Sequence, residues 1–140
     1  MDDRSTHEHL ISAMATVFDR MDAATVDAWG DLTGLQIQLL RVVATDMRVD
    51  RQSLSTWTRT SRAALVPSLG GLLQRGILAE EADHEGPCLV VAPAGRQLLR
   101  AVLRARTEWM RRAGASAEPP VDEAELRGAI GVLRRVADGG

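Results

Sequence analysis

The stretch from residue 61 to residue 96 constrains the fold more than any other part of the sequence. Its first half is amphipathic, because leucines recur at helical spacing at positions 65, 69, 72 and 73. Ser61 precedes this pattern and suits a helix N-cap, since its hydroxyl accepts a hydrogen bond from an orphan backbone N–H. Gly76 follows the pattern, at the kind of position where a helix ends in a left-handed residue. A helix is therefore predicted from Ser61 to about residue 74.

A hairpin is predicted behind that helix. Two short runs, residues 77–81 and 88–91, predict its strands, and the polar residues 83–86 between them predict its turn. Pro93 then suits the first turn of another helix, because its missing N–H loses no partner there. The expected order is therefore helix, hairpin and helix.

This order resembles the recognition helix and wing of the MarR family of winged-helix regulators. The resemblance is carried by Ser61-Arg62, by Leu72 with Arg75-Gly76-Ile77-Leu78, and by Pro93-Ala94-Gly95-Arg96. The last four residues match the family's threonine-proline-alanine-glycine-arginine signature, with Ala92 in place of the threonine. The resemblance covers nearly the whole chain. It implies a mainly α fold with a small β wing, a winged helix-turn-helix with long N- and C-terminal dimerisation helices.

The flanking segments predict further helices that fit this architecture. Apolar residues at positions 10, 14, 17, 18 and 21 form one stripe, which predicts a first helix over about residues 5–28. Thr33 with Gln36, and Asp122 with Glu125, have the spacing of capping boxes. A chain of 140 residues is expected to form a single domain. Within residues 1–140, the expected winged helix-turn-helix covers about 32–92, and the dimerisation helices cover about 5–28 and 93–137.

The two central helices depart from the family pattern. Residues 51–58 predict a short helix that β-branched threonines weaken. The family usually ends this helix with a leucine and a turn glycine, whereas this chain has Thr58 and Arg59. Pro67 and the Gly70-Gly71 pair lie inside the next helix and predict an irregular first turn or a kink.

The apolar stripes of the terminal helices predict a partner. They exceed what one small winged unit can cover, and large exposed apolar patches mark interaction sites. In the MarR family the terminal helices of two subunits interlock, so the resemblance implies a homodimer.

The resemblance also implies that the helix after Ser61 binds double-stranded DNA. The candidate DNA-binding residues are Arg62, Ser61, Ser68, Arg59 and Arg51, with Arg41 and Arg48 as further basic surface. The family commonly carries hydroxyl residues and an arginine at the places of Ala63, Ala64, Val66 and Pro67. These four side chains cannot donate to a base edge or a phosphate. Weak DNA binding is therefore expected.

The predicted wing is the most acidic short segment of the chain. Residues 77–92 carry four acids and no arginine, whereas residues 31–76 carry six arginines against three aspartates. Family wings often carry arginines where this chain has Glu80, Glu81 and the tip residues. Carboxylates beside a phosphate backbone oppose binding. DNA binding is thus the first hypothesis, and its loss is the alternative.

A ligand site is also implied by the resemblance, because family members bind small molecules between the dimer helices and the winged domain. The residues expected to line such a crevice are His9, Met14, Phe18, Trp29 and Trp109. An aromatic wall suits a planar phenolic or polyketide-like ligand. Core packing also explains any one of these tryptophans.

Other chemistry finds little support in the sequence. No Ser-His-Asp, Walker, zinc or dinucleotide motif is present, so catalytic residues stay unknown and neither a metal nor a cofactor is expected. The longest apolar runs are too short to span a membrane. The single cysteine, Cys88, excludes an internal disulfide and suits a reducing cytoplasm.

Two function classes follow. The first is a ligand-responsive DNA-binding transcription regulator. The alternative is a MarR-fold homodimer that has lost DNA binding and acts as a small-molecule binding protein or an enzyme, with an aromatic or polyketide-like metabolite as its ligand or substrate.

Overall fold

A computed structural model of the chain describes residues 2–140, which form a mainly α structure with a two-stranded antiparallel sheet. These residues divide into two compact units. Residues 25–104 form the first unit, and the segment ending at Ala24 forms the second with residues 105–140. The elements are α1 Asp3–Ala24, a 3₁₀ helix Val26–Trp29, α2 Gly34–Val43, α3 Arg51–Thr58, α4 Arg62–Gln74, β1 Leu78–Asp83, β2 Gly86–Val91, α5 Pro93–Ser116 and α6 Glu123–Gly139. The predicted fold class is confirmed.

The unit of residues 25–104 has a leucine-rich core beneath α4 and the sheet. Its most deeply buried side chains are Leu39, Leu40, Leu54, Leu72, Leu78 and Val49. Trp29 and Val102 belong to the same cluster. Burying side chains of this size stabilises the unit by roughly 1.5–3 kcal/mol each.

Side-chain caps begin three helices of this unit, at the predicted Thr33 and Ser61 and at Asp50. Thr33 and Gln36 form a reciprocal capping box, each backbone N–H donating to the other's side chain at 3.1 Å. Asp50 caps α3 by accepting from the Ser53 N–H at 2.7 Å. Ser61 caps α4 by accepting from the Ala64 N–H at 3.2 Å. These caps satisfy orphan donors at each helix start.

The turn between α3 and α4 is built from two residues that differ from the family pattern. Thr58 is buried, and its hydroxyl donates to the Leu54 carbonyl at 2.6 Å, so no polar group is left unsatisfied in the core. Arg59 takes the left-handed conformation, with φ 51°. That conformation costs a residue with a side chain roughly 1–2 kcal/mol. Arg59 therefore occupies a conformation that would suit glycine better.

Helix α4 runs unbroken from Arg62 to Gln74, with Pro67 inside it. The expected irregular first turn is therefore wrong, since Ser61 caps a regular helix. Pro67 removes one helical donor, the N–H that would reach the Ala63 carbonyl. Because Ala63 is exposed, water can reach that carbonyl.

The hairpin is longer than predicted, because β1 and β2 pair over six residues each, from Leu78↔Val91 to Asp83↔Gly86. The turn consequently shrinks to His84 and Glu85. Asp83 stabilises it by accepting from the Glu85 N–H at 2.8 Å. Gly86 follows with φ +112°, a conformation that residues with side chains rarely adopt.

Gly95 lets the start of α5 pack directly on the base of the hairpin. A Cβ built at this position would overlap with the Ile77 carbonyl oxygen. The same carbonyl accepts from the Ala92 N–H at 3.0 Å. Arg96 then donates to the Val91 carbonyl at 2.8 Å. The glycine and arginine of the proline-alanine-glycine-arginine run therefore join α5 to the wing.

The second unit contains α1, the second half of α5, and α6. Helix α1 ends at Ala24, four residues before the predicted end, and the 3₁₀ helix follows. Within this unit, Arg106 Nη2 donates to Asp22 Oδ1 at 2.7 Å. Helix α6 begins with the predicted capping box of Asp122 and Glu125. No helix of residues 2–140 is long and apolar enough to cross a membrane.

Helix α6 carries an apolar stripe that the unit does not bury. Its members and their exposed fractions are Leu126 42%, Ile130 47%, Leu133 40% and Val136 64%. Helix α1 in the same unit also exposes apolar side chains, namely Leu10, Ile11, Val17 and Phe18. Faces of this kind are typical of helices that bind another subunit.

Candidate nucleic-acid interface

Helix α4 presents one face to the core and the opposite face to solvent. Leu65, Leu69 and Leu72 are buried. The residues on the opposite side are all exposed, at positions 63, 66, 67 and 70, and the Val66 side chain is 62% exposed. We call this row of Ala63, Val66, Pro67 and Gly70 the α4 apex. Its side chains carry no hydrogen-bonding group.

Two cations lie at the N-terminal end of α4. Arg59 and Arg62 are both exposed, and within residues 2–140 their guanidinium groups have no ion-pair or hydrogen-bond partner. The N-terminus of a helix also attracts anions, because its first backbone N–H groups point outward along the helix dipole. This end of α4 is therefore suited to contact phosphate.

The two predicted serines lie on either side of this end. Ser61 uses its hydroxyl oxygen as the α4 cap but keeps its hydroxyl proton available for donation. Ser68 is half-buried on the side of α4 that faces α2, where Gln36 Nε2 donates to its carbonyl at 3.4 Å. Of the two, Ser61 is the better placed for contact with a large polyanion.

The tip of the wing is held by Arg48, which lies just before α3. Its Nε donates to Asp83 Oδ2 at 2.7 Å, and its Nη2 donates to Asp83 Oδ1 at 3.1 Å. The same Nη2 also donates to the carbonyls of Gly86 and Pro87, at 3.1 and 3.2 Å. Arg48 further lies within 3.5 Å of Glu85. One guanidinium thus binds both ends of the hairpin turn.

Arg51 makes a second bond of this kind to the wing. Its Nε and Nη2 donate to the two carboxylate oxygens of Glu80 at 3.2 and 3.1 Å. Paired, fork-like hydrogen bonds between guanidinium and carboxylate are stronger than single neutral ones. Arg51 was predicted to contact DNA, and in this structure its donors already serve Glu80.

These hydrogen bonds shift the acid–base equilibria of the wing. The Arg48 guanidinium, and then the Glu85 backbone N–H, lower the pKa of the Asp83 carboxyl below its ordinary value. Hydrogen bonding from Arg51 likewise lowers the pKa of Glu80. Both carboxylates are therefore ionised throughout the neutral range. Of the four wing acids, Glu80, Asp83 and Glu85 pair with an arginine.

A cavity of about 430 Å³ lies between α4, the start of α3 and the wing. The apolar part of its lining consists of Leu65, Val66, Leu69, Pro87 and Leu89, with Cys88 beside them. Arg62 also lines this cavity, together with the paired Arg51 and Glu80. The surface that carries α4 is thus a groove with few free charges.

The comparisons with solved structures agree on the architecture. No protein-family model and no curated protein matches the chain. A transcriptional regulator from Thermotoga maritima, Tm0710, superposes with a TM-score of 0.73 at 14% identity, over 97% of this chain and 96% of that one. A MarR family protein from Bacillus stearothermophilus superposes with a TM-score of 0.69 at 15% identity, over 99% and 97% of the two chains. The chain has the MarR winged-helix fold. A putative transcriptional regulator from Pseudomonas aeruginosa is similar at a TM-score of 0.67 and 24% identity, over 97% and 96%.

The MarR fold places the five predicted ligand residues in different surroundings. Trp29 is buried in the core of its unit, with the Arg41 guanidinium 5.4 Å from its ring centroid, a cation–π contact. In the other unit, Met14 and Trp109 are half-buried, whereas His9 and Phe18 are exposed. None of the five lines the 430 Å³ cavity or a smaller, 230 Å³ cleft beside Trp57.

Sequence reasoning missed the role of Arg48 as the residue that binds the wing. Thirty-five positions separate Arg48 from Asp83, so no local pattern links them. The signal available was the opposite charge of the two segments, since residues 31–76 are net basic and residues 77–92 are net acidic. A metal site is not formed by the described residues, which contain no cluster of three or more His, Cys, Asp or Glu side chains.

Proposed function

We propose that this chain is a cytoplasmic, homodimeric, DNA-binding transcription regulator of the MarR type. The observation that carries the proposal is the exposed α4, with the unpaired Arg59 and Arg62 at its N-terminal end. In winged-helix proteins this helix enters the major groove while flanking residues contact the backbone. Arg59, Arg62 and Ser61 supply phosphate contacts, and Ser68 and Arg51 have secondary roles.

The proposed DNA binding is weak and only moderately sensitive to salt. Two free arginines per subunit give about four phosphate contacts per dimer, and hence a slope of log K against log salt near −3.6. Affinity then falls about a hundredfold between about 50 and 200 mM salt, rather than the roughly three to five decades of a protein with six to ten contacts.

The test is a fluorescence-anisotropy titration of the protein's own upstream DNA at several salt concentrations. Arg62→Ala is expected to weaken binding and to flatten the slope by about 1.8 for the dimer. Arg104→Ala is the matched control, because it removes an exposed arginine of α5 outside the α4 surface. No binding at low salt, or equal losses for both variants, would contradict the proposal.

The proposed homodimer accounts for the apolar stripe of α6 and the exposed apolar residues of α1. These side chains lie on helices of the unit that the MarR architecture uses for dimerisation. Burying four such side chains per subunit at about 25 cal/mol per Å² stabilises association by several kcal/mol. A free single chain would instead leave them in water.

We also propose that the regulator responds to a small-molecule ligand. His9, Met14, Phe18 and Trp109 are proposed to line the dimer crevice, whereas Trp29 is buried in the core of its own unit. Planar phenolic compounds are expected to quench Trp109 emission saturably, and Trp109→Ala should abolish this saturable part. Trp57→Phe is the control, because Trp57 is 55% exposed and is quenched non-specifically by any collision.

A second candidate function is favoured by the α4 apex and the acidic wing. The side chains of the apex offer no hydrogen-bond donors. Among the described residues Glu81 has no ion-pair partner, and Glu85 shares Arg48 with Asp83. Both features suit a MarR-fold dimer that has lost DNA binding and keeps a small-molecule site. Saturable phenol binding without any DNA binding at low salt would support this candidate against the first.

A further inference from the structure

We infer that α4 selects its DNA site by contacting the 5-methyl groups of thymines in the major groove. The inference rests on the proposed DNA binding and names the feature of the DNA that α4 distinguishes.

The α4 apex is an exposed row of residues on the helix. Its positions 63, 66, 67 and 70 have the spacing i, i+3, i+4 and i+7, so they share one face. Leu65, Leu69 and Leu72 fix the rotation of the helix, because burying them turns the apex outward. A helix that enters a groove in this orientation brings the apex to the base edges.

The chemistry of the base edges decides what such an apex distinguishes. Guanine, adenine and cytosine present only polar groups in the major groove, whereas thymine adds a methyl group. Pressing an apolar apex against polar edges strips them of water without replacing their hydrogen bonds, which is unfavourable. Pressing it against thymine methyls buries apolar surface on both sides, which is favourable.

Val66 is the residue expected to make the principal contact. It is the largest side chain of the apex and is 62% exposed, and Ala63 and Pro67 lie on either side of it. Arg59 and Arg62 flank this row with free positive charge. That charge fits a nucleic acid and would be left unpaired against an apolar protein surface, so DNA is the occupant that we infer.

The experiment begins with selection of binding sites from a random 30-base-pair duplex library. The recovered site is then synthesised with thymine or with uracil, which pairs identically but lacks the 5-methyl group. Binding to the uracil duplex is expected to fall about fourfold for each contacted methyl, the effect of removing one buried methyl group. Uracil placed only outside the recovered site should change nothing.

Two variants, each tested on the thymine and uracil duplexes, show whether α4 makes the methyl contact. Val66→Ala should weaken binding to the thymine site by severalfold, yet it should bind the uracil site as the unaltered protein does. Arg62→Ala should weaken binding to both duplexes by equal factors, because phosphates are the same in each. Since Val66 is exposed, Val66→Ala should leave the thermal unfolding midpoint unchanged, which circular dichroism checks.

Each outcome has a distinct meaning. Equal binding of the thymine and uracil sites, or recovery of sites without shared thymines, would overturn the inference and leave the DNA-binding proposal standing. Losses for Val66→Ala of the same factor on both duplexes would also overturn it. Absence of binding to every duplex at low salt would overturn the inference together with the proposed function.

Discussion

Arg48 binds Asp83 through two parallel hydrogen bonds, from Nε to Oδ2 at 2.7 Å and from Nη2 to Oδ1 at 3.1 Å. Together with the Arg51–Glu80 pair, this contact makes the wing an internal partner for the arginines that precede and begin α3. Carboxylates therefore occupy donors that would otherwise be available for the proposed contacts with DNA phosphates.

Releasing one of these arginines is expected to strengthen DNA binding. Glu80→Gln removes the charge that holds Arg51, so each subunit gains one phosphate contact and the salt slope steepens by about 0.9 per subunit. Glu81→Gln is the matched control, because Glu81 is adjacent on β1 and no ion pair to it is found among the described residues. It changes the net charge equally and frees no arginine. Equal slopes for the two variants in anisotropy titrations would count against arginine release.

The wing pairs also predict a dependence of wing stability on pH. The ordinary pKa values are 3.8 for Asp83 and 4.5 for Glu80, and pairing lowers both in the folded state. The ionised pairs stabilise the folded wing fully above these ordinary values, and their contribution is lost as pH falls through the lowered ones. The protection factors of amide hydrogens in β1 and β2, which correct for the intrinsic pH dependence of exchange, should be constant from about pH 8 to 5 and fall in stronger acid. Asp83→Asn should remove the part of that fall that comes from the Arg48–Asp83 pair and leave the part that comes from Glu80.

The left-handed conformation of the exposed Arg59 predicts a trade-off between folding stability and DNA binding. Arg59→Gly is expected to raise the free energy of unfolding by up to about 1 kcal/mol, since glycine adopts φ 51° without strain. Arg59→Ala removes the same charge and keeps the strain, so it should gain no stability. Both variants should weaken DNA binding equally. Urea unfolding measures the stability of each variant, and anisotropy titrations measure its DNA binding. Equal stability of Arg59→Gly and Arg59→Ala would show that the backbone at position 59 is not strained.

Gly95 is expected to tolerate no side chain. Gly95→Ala forces a Cβ into the Ile77 carbonyl and should destabilise the protein by about 1–3 kcal/mol or more. Gly128→Ala provides the control in α6, where an added Cβ meets nothing within 4 Å. That change should stabilise the helix by roughly 0.5–1 kcal/mol. Opposite signs in thermal unfolding are the expected result, and a neutral Gly95→Ala would contradict the close contact.

The α6 stripe predicts the oligomeric state. Native mass measurement should give about twice the 15.2 kDa of one chain. Ile130→Asp places a carboxylate at a 47% exposed position, which harms the single chain little but would be costly in a buried interface. Ala124→Asp, outside the stripe on the same helix, should keep the native mass. A stable monomer of the unaltered chain would exclude the proposed dimer.

Local patterns predicted most of the fold because helix caps and apolar spacing are local. The capping boxes at Thr33 and Asp122, and the bounds of α3, follow from residues within a few positions of one another. The end of α1 was predicted four residues late, because an apolar stripe gives spacing but no stop signal. The β-branched Thr25 and Val26 favour the change that occurs there.

The candidate site was less predictable, because its arrangement depends on contacts distant in sequence. Composition indicated an acidic wing, but only the structure pairs Asp83 and Glu80 with Arg48 and Arg51. Likewise, the tryptophan count could not separate the buried Trp29 from the exposed Trp57. The α4 apex, in contrast, follows from helical spacing alone once α4 is accepted as a helix.

Pro67 makes the surface of α4 unusually open to evolutionary change. One base substitution converts any proline codon into an arginine codon, and the same holds for the glycine codon at position 70. An arginine at 67 would restore the helical hydrogen bond to Ala63, whose loss to a proline in a helix interior costs about 3 kcal/mol. Pro67→Arg would therefore relieve the helix and, under the proposed DNA binding, add a hydrogen-bond donor to the α4 apex. Stability and base contact would then be gained together at this position.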